Sequence, residues 1–204
     1  VIKLFNISDG KTYPVSTKWY ESHQPIFSSD GKYLFYVSAR EFQAVYSRTE
    51  WNAVYSTESY IVAVPLSKDT PNPLLLKGDE YGAVAESVKS DAGSAVGKMK
   101  VDIDGIIERS FVLPIGPGKY SVTAAVNGVL YYAQNGKPKK LSLETMKASD
   151  VANQLILTFT PDGKKALVMD RGKLFVVNGN TLSGDEAVPM EDMRFMIDYA
   201  QEWK

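Results

Sequence analysis

The sequence contains no cysteine and a single histidine, His23. Without thiols there is neither a disulfide nor a thiolate metal site, although that alone leaves the compartment open. One histidine excludes paired-histidine zinc ligands. Net charge is almost absent as well: 23 Lys and Arg stand against 24 Asp and Glu, giving −1. With no basic run, nucleic acid is not an expected partner. No apolar stretch approaches the roughly 18 residues of a membrane-crossing helix, so no membrane span is expected. The chain has no Gly-x-Ser-x-Gly elbow and no phosphate-cradling glycine loop. Catalytic, cofactor-binding and metal-binding residues are therefore all expected to be none within this segment.

What is present is β-structure that repeats. Gln24–Arg40 (QPIFSSDGKYLFYVSAR) reads as strand, turn, strand, with Asp30-Gly31 supplying the turn and Tyr33–Val37 dense in β-formers. Thr158–Arg171 (TFTPDGKKALVMDR) says the same again. The offset is 162 − 30 = 132 residues, read as three steps of 44. A period of about 40–45 residues with several short strands per unit is that of a β-propeller blade. The expected fold is all-β, with β-propeller-like antiparallel blades. About three and a half blades are counted, which makes a partial propeller.

In chain order, Ile2–Ile7 and Lys11–Val15 pair around Asp9-Gly10 as the outer strands of a half-blade. Lys18–His23 then reads as a connection. The hairpin of Gln24–Arg40 supplies two inner strands, Ser59–Pro65 a third and Pro73–Lys77 a fourth. Glu41–Glu58 is an insertion whose aromatics Phe42, Tyr46, Trp51 and Tyr55 lie 4, 5 and 4 residues apart, as in a short helical turn or a packed loop. It caps its own blade or offers a binding surface, because loops on rigid scaffolds carry recognition. Residues 78–98, rich in Ala, Gly, Ser and charge, read as a flexible loop or linker between blade regions 1–77 and 99–197.

Met99–Ile103 and Arg109–Ile115 read as a strand pair around Asp104-Gly105. Tyr120–Ala125, Asn127-Gly128 and Val129–Ala133 repeat the inner hairpin, Lys139–Leu143 follows, and Val151 belongs to a fourth strand. Leu155–Phe159, Lys165–Met169 and Lys173–Val177 form the last blade. Asp198–Lys204 reads as the start of a following helical domain, with Asp198 as N-cap. Both ends look cut. The chain is thus expected to be a segment of a longer polypeptide, and the lack of a signal peptide says nothing about the parent.

Chemistry is scarce along this chain. His23 adjoins Ser22, but adjacency in sequence does not make a triad, and a connecting loop is an ordinary place for histidine. Asp102-Ile-Asp104-Gly105 looks like the opening of a calcium loop, yet the other ligands and the distal Glu are missing, so it reads as a turn. Lys137, Lys139 and Lys140 read as a solvated blade edge that discourages edge pairing.

Three stretches resemble one family in its own order. Phe27–Arg40 with the following Arg40-Glu-Phe42…Tyr46 is similar to the "FSxDGKYLYFxSxRxFxPxY" stretch of tricorn-type proteases and their bacterial relatives. Val101–Arg109, Val112-Leu-Pro114 and Gly116–Tyr120 resemble "DxDGIxxRxxxLPxxPGxY", and Tyr199–Lys204 resembles the "EWxQ" entry to a helical domain. The resemblance implies the C-terminal part of the second propeller of a serine peptidase that is periplasmic or secreted. That peptidase's nucleophile and histidine lie in later domains, so no catalytic residue maps here and none is assigned. The implied role is non-catalytic: gating or channelling peptides and scaffolding the parent's catalytic domains. Its implied partners are peptides and those domains, with no cofactor. The alternative is a stand-alone module gripping a protein or glycan. Fewer than four blades do not readily close a ring, so open strand edges are expected to invite self-association unless loops cover them.

Overall fold

The computed structural model describes residues 1–46, 53–74, 99–151, 154–184 and 186–190, with the main chain alone described at 42–46 and 53–57. Every regular element among them is a strand. A two-stranded ladder, β1 (Lys3–Asn6) with β2 (Lys11–Pro14), precedes three four-stranded antiparallel meanders. The first blade is β3 (Ser22–Phe27), β4 (Tyr33–Tyr46), β5 (Ala53–Pro65) and β6 (Phe111–Val112). The second is β7 (Tyr120–Val126), β8 (Val129–Gln134), β9 (Lys137–Ser142) and β10 (Ala148–Asp150). The third is β11 (Leu155–Phe159), β12 (Lys165–Asp170), β13 (Lys173–Asn178) and β14 (Glu186–Ala187). Three full blades and a half-blade match the all-β, partial-propeller expectation.

Alternation along the central strands explains why the blades stack. On β4, Phe35 and Val37 pack with Leu113, Tyr120, Val122, Leu130, Tyr132 and Leu141, the core between the first and second blades. The intervening Leu34 and Tyr36 pack with Ile2, Val15, Val62 and Val64 toward the half-blade. On β8, Leu130 and Tyr132 face the first blade, while Tyr131 packs with Ile156, Ala166, Val168 and Val177 of the third. With a side-chain period of two, a strand buried on both faces serves two neighbours at once.

The blades touch through β3, β7 and β11. Ser29 N donates to Ala125 O at 2.8 Å, beside a parallel bridge between Ser28 and Ala125. Sheets that approach at one edge and splay at the other are arranged radially, so these three strands line the axis. The turn after each one fixes the register. Ser28 Oγ donates to Asp30 Oδ1 at 2.6 Å and accepts from Tyr33 N at 2.9 Å. Thr160 Oγ1 donates to Asp162 Oδ1 at 2.6 Å and accepts from Lys165 N at 3.1 Å. Gly31 and Gly163 follow with φ of +67° and +66°, a conformation that glycine adopts without the Cβ penalty. The sequence repeat is therefore one turn built twice.

Several expectations are corrected. The 132-residue offset spans two blades, not three, because the Asn127-Gly128 turn is the one equivalent between them. The fourth strand of the first blade is Phe111–Val112, paired with Ala63 and Val62, and not Pro73–Lys77. Pro73 and Leu74 lie in a turn, and residues 75–98 fall outside the described residues. Two residues suffice for β6 because the outermost strand of a blade closes one edge only. Met99–Ile103 is not a strand either: Asp104–Arg109 turns back on itself and the chain enters β6 directly. His23 sits within β3, opposite Val37, and not in a connection. The fourth strand of the second blade ends at Asp150; Val151 follows it and donates its N–H to Pro138 O at 3.1 Å. Lys139 lies directly across from Asp150, with Nζ 2.8 Å from its carboxylate, so that lysine ties the outer strand on. Asp198–Lys204 lies outside the described residues.

Tyr120 is the hinge pin between the first and second blades. Its hydroxyl donates toward Ile115 O (3.0 Å) and Gly116 O (2.8 Å), and accepts from Gln134 Nε2 at 2.8 Å. Burial, its largest cause, pushes this phenol up to about 12. The folded state holds the proton more tightly than the unfolded chain. That contribution is complete below pH about 10 and is lost as pH rises through about 12. Tyr120→Phe is expected to cost about 1–3 kcal/mol in urea unfolding at neutral pH, since the two carbonyls lose the one proton they share and Gln134 Nε2 loses its acceptor. It should also flatten the alkaline fall in stability. Tyr132→Phe is the control: that hydroxyl is buried and makes no hydrogen bond among the described residues, so its removal costs less.

Candidate functional site

The axial side of the molecule combines main-chain edges with an absence of charge. None of β3, β7 and β11 contains Asp, Glu, Lys or Arg. Each carries a register shift at a matching height: between His23 and Ile26, between Val122 and Ala124, and between Ile156 and Thr158. A bulge leaves its extra residue off the ladder and re-aims it. The extra residue lies within Gln24-Pro25, which together oppose Tyr36, and is Thr123 and Leu157 in the other two. Gln24 has φ +52° and its Oε1 accepts from Val122 N at 3.2 Å, linking the first two blades at the axis. Leu157 is 41% exposed. In sequence only the first bulge leaves a mark, Gln24-Pro25 before an apolar pair; Thr123 and Leu157 carry none.

The second feature is the ribbon that was expected as a helical turn or packed loop. It is neither. β4 and β5 run on past the blade as an antiparallel ladder, pairing Phe42 with Thr57, Ala44 with Tyr55 and Tyr46 with Ala53. Phe42, Tyr46 and Tyr55 thus occupy register positions of one parity, while Trp51 lies outside the described residues. The strands leave the blade at a bulge on Arg40. Period two prevails over the helix-like aromatic spacing because Glu41–Tyr46 and Ala53–Glu58 are rich in β-formers and free of Gly and Pro.

The root of the ribbon holds residues that sequence reasoning missed. Glu41 and Glu58 lie directly opposite each other. Tyr60 donates its hydroxyl to Glu41 Oε2 at 2.5 Å, and that bond raises the phenol's pKa. The Arg40 guanidinium lies 5.2 Å from the Tyr20 ring centroid, and its Nε donates to Ser38 Oγ at 3.3 Å. Trp19 beside them is 89% exposed. The signal was a Trp-Tyr pair in a polar connection.

The Asp102–Asp104 stretch is fully engaged in internal bonding. Asp102 Oδ2 accepts from Lys68 N (2.8 Å) and Ser67 Oγ (3.0 Å), and these two bonds hold its carboxyl below the usual range. Lys68 Nζ lies 2.6 Å from Asp104 Oδ2 and does the same there. Among the described residues there is no group of three or more potential metal ligands. Nor is any helix among them long and apolar enough to cross a membrane.

Comparison with known proteins places this arrangement. The putative tricorn protease homolog 2 of Streptomyces coelicolor is 24% identical over 91% of this chain, which covers 18% of that protein. The tricorn protease of Thermoplasma acidophilum is 25% identical over 85% of this chain and 17% of that protein. The crystal structure of the tricorn protease superposes with a TM-score of 0.68 over 94% of this chain and 19% of that one, at 20% identity, a likeness of fold. The chain spans about a fifth of the length of these relatives. The family model for the tricorn protease second beta propeller domain matches residues 1–180, and the chain belongs to that family.

Proposed function

We propose that this chain is a non-catalytic, peptide-handling part of a tricorn-like serine peptidase, channelling extended substrates along its axial wall and scaffolding the parent's catalytic domains. The observation that carries the reading is the set of three inner strands, uncharged and bulged at one height. An extended polypeptide carries one N–H and one C=O per residue and little net charge. A wall of strand edges can exchange hydrogen bonds with it irrespective of sequence, and an uncharged wall avoids desolvating ions on contact. Leu157 and Pro25 add apolar contact without a deep, selective pocket. The ribbon carrying Phe42, Tyr46 and Tyr55 runs on from β4 and β5 past the Ser22 end of β3 and serves as the gate of this wall.

The test is binding of a blocked, uncharged peptide to the 204-residue chain, followed by fluorescence anisotropy. Leu157→Asp places a carboxylate on the wall at an exposed position where the fold tolerates it. Binding is expected to weaken by about tenfold, with unfolding by urea unchanged. Equal affinity for variant and parent chain would overturn the assignment of the wall.

A further inference from the structure

We propose that the ribbon formed by Glu41–Tyr46 and Ala53–Glu58 accepts an extended peptide as an added strand on its β4 edge, with a basic side chain of that peptide seated against Glu41 and Glu58. The inference rests on the peptide-handling reading and gives it a place and a preference.

The argument begins with main-chain hydrogen bonds. Up to Ala39 and Ser59 both strands are flanked: Ala39 N donates to Glu21 O at 2.9 Å, and Ser59 N donates to Gly118 O at 2.9 Å. Past those rungs the ladder continues from Glu41–Glu58 to Tyr46–Ala53, about 20 Å of ribbon at the rise of a strand. Among the described residues neither outer edge of this stretch is paired. An edge of that length is a template for another strand unless Lys, Pro or a bulge blunts it. Glu41–Tyr46 and Ala53–Glu58 contain no Lys, Arg or Pro, and the bulge at Arg40 lies below them.

The two edges are not equivalent. The β5 edge lies on the side of β6, away from the axis. The β4 edge lies on the side of β3, so a strand added there prolongs the line of β3 and leads onto the axial wall. Trp19 and Tyr20 flank this entrance, with Arg40 stacked on Tyr20. Main-chain pairing of this kind takes a peptide by its backbone and leaves specificity to alternate side chains.

Charge selects the occupant. Glu41 and Glu58 are like charges at directly opposed positions, an unfavourable pairing on its own. Among the described residues no ion pair engages either of them. A lysine or arginine side chain arriving from the added strand relieves that repulsion. A second copy of this chain would bring the same two carboxylates, so a basic peptide is the better fit.

The experiment titrates the 204-residue chain with a short, blocked, fluorescent peptide of alternating threonine and valine that ends in lysine. Two isomers carry N-methyl groups on one or the other alternate set of residues, which removes the donors of one strand edge only. Strand addition predicts that one isomer binds as the unmethylated peptide does and the other at least about tenfold more weakly. It also predicts that a glutamate-ended peptide, or the lysine peptide with Glu58→Gln, binds about fivefold more weakly. Equal binding by both isomers, or by lysine- and glutamate-ended peptides, overturns the proposal. If both isomers bind equally and Leu157→Asp still weakens them, the axial reading stands and the ribbon site falls. If no peptide binds at all, both fall.

Discussion

Replacing Arg109 by alanine is expected to lower stability by about 2–4 kcal/mol, and replacing it by lysine to recover less than half of that. The guanidinium is spent entirely on carbonyl oxygens. Nη1 donates to Asp104 O at 2.7 Å, Nε to Pro65 O at 3.3 Å, and Nη2 to Leu66 O at 3.3 Å and to Asp102 O. These acceptors lie on two pieces of chain, the end of β5 and the turn before β6, which the long segment after Leu74 separates in sequence. Asp102 N also donates to Leu66 O at 2.9 Å, so the two pieces are sewn together beside Arg109 as well. A planar fork can reach several carbonyls at fixed angles, whereas an ammonium is a single point with its own hydration to lose. Part of the site is open to water, so each bond is weighted below its fully buried worth. Urea unfolding monitored by tryptophan fluorescence reads the loss. A drop below about 1 kcal/mol for the alanine variant would mean that β6 is held by its ladder and by the core residue Leu113 that follows it.

The same region shows what sequence can and cannot convey. The Asp-Gly turns were legible because the turn chemistry is local: a hydroxyl, a carboxylate and a glycine within six residues fix the geometry in both copies. The three inner hairpins were legible for the same reason, together with runs of β-formers. The pairing of β6 was not: Phe111–Val112 falls within the strand read over Arg109–Ile115, but its partners Val62 and Ala63 lie across a long crossover. In sequence Arg109 is one position of a motif; that its side chain caps carbonyls on two segments is a tertiary fact. The ribbon failed for a different reason. Aromatics at intervals of 4, 5 and 4 mimic a helical stripe, while the alternation that makes Glu41–Tyr46 a strand continues from β4 and is visible only if no break is placed at Arg40. As for the candidate site, the ribbon's aromatics were singled out, whereas the uncharged axial wall requires knowing which strands lie innermost.

Gly179→Ala is expected to be among the most damaging single substitutions in the third blade, at about 3 kcal/mol or more. A Cβ at this position would sit 2.1 Å from Gly163 O, with Gly163 C and Lys164 C each 3.0 Å away. All three are main-chain atoms, so no side chain can swing aside. The closeness is structural: Gly179 N donates to Lys164 O at 2.7 Å, bringing the segment after β13 against the turn before β12. Separating them disturbs the Asp162-Gly163 turn. It also disturbs the bond from Asn127 Nδ2 to Asn180 Oδ1 (2.7 Å), which spans the second and third blades. The loss should thus spread to the core of Val126, Tyr131, Ile156, Val168 and Val177. Gly172→Ala serves as the comparison. Its φ is +79° and nothing lies within 4 Å of its Cβ, so it bears only the backbone penalty of about 1–2 kcal/mol. Each variant adds one methyl group and Gly179 has no positive φ, so a larger loss at Gly179 than at Gly172 reports the main-chain clash. Equal midpoints would mean that the two segments do not cross as closely as the hydrogen bond from Gly179 requires.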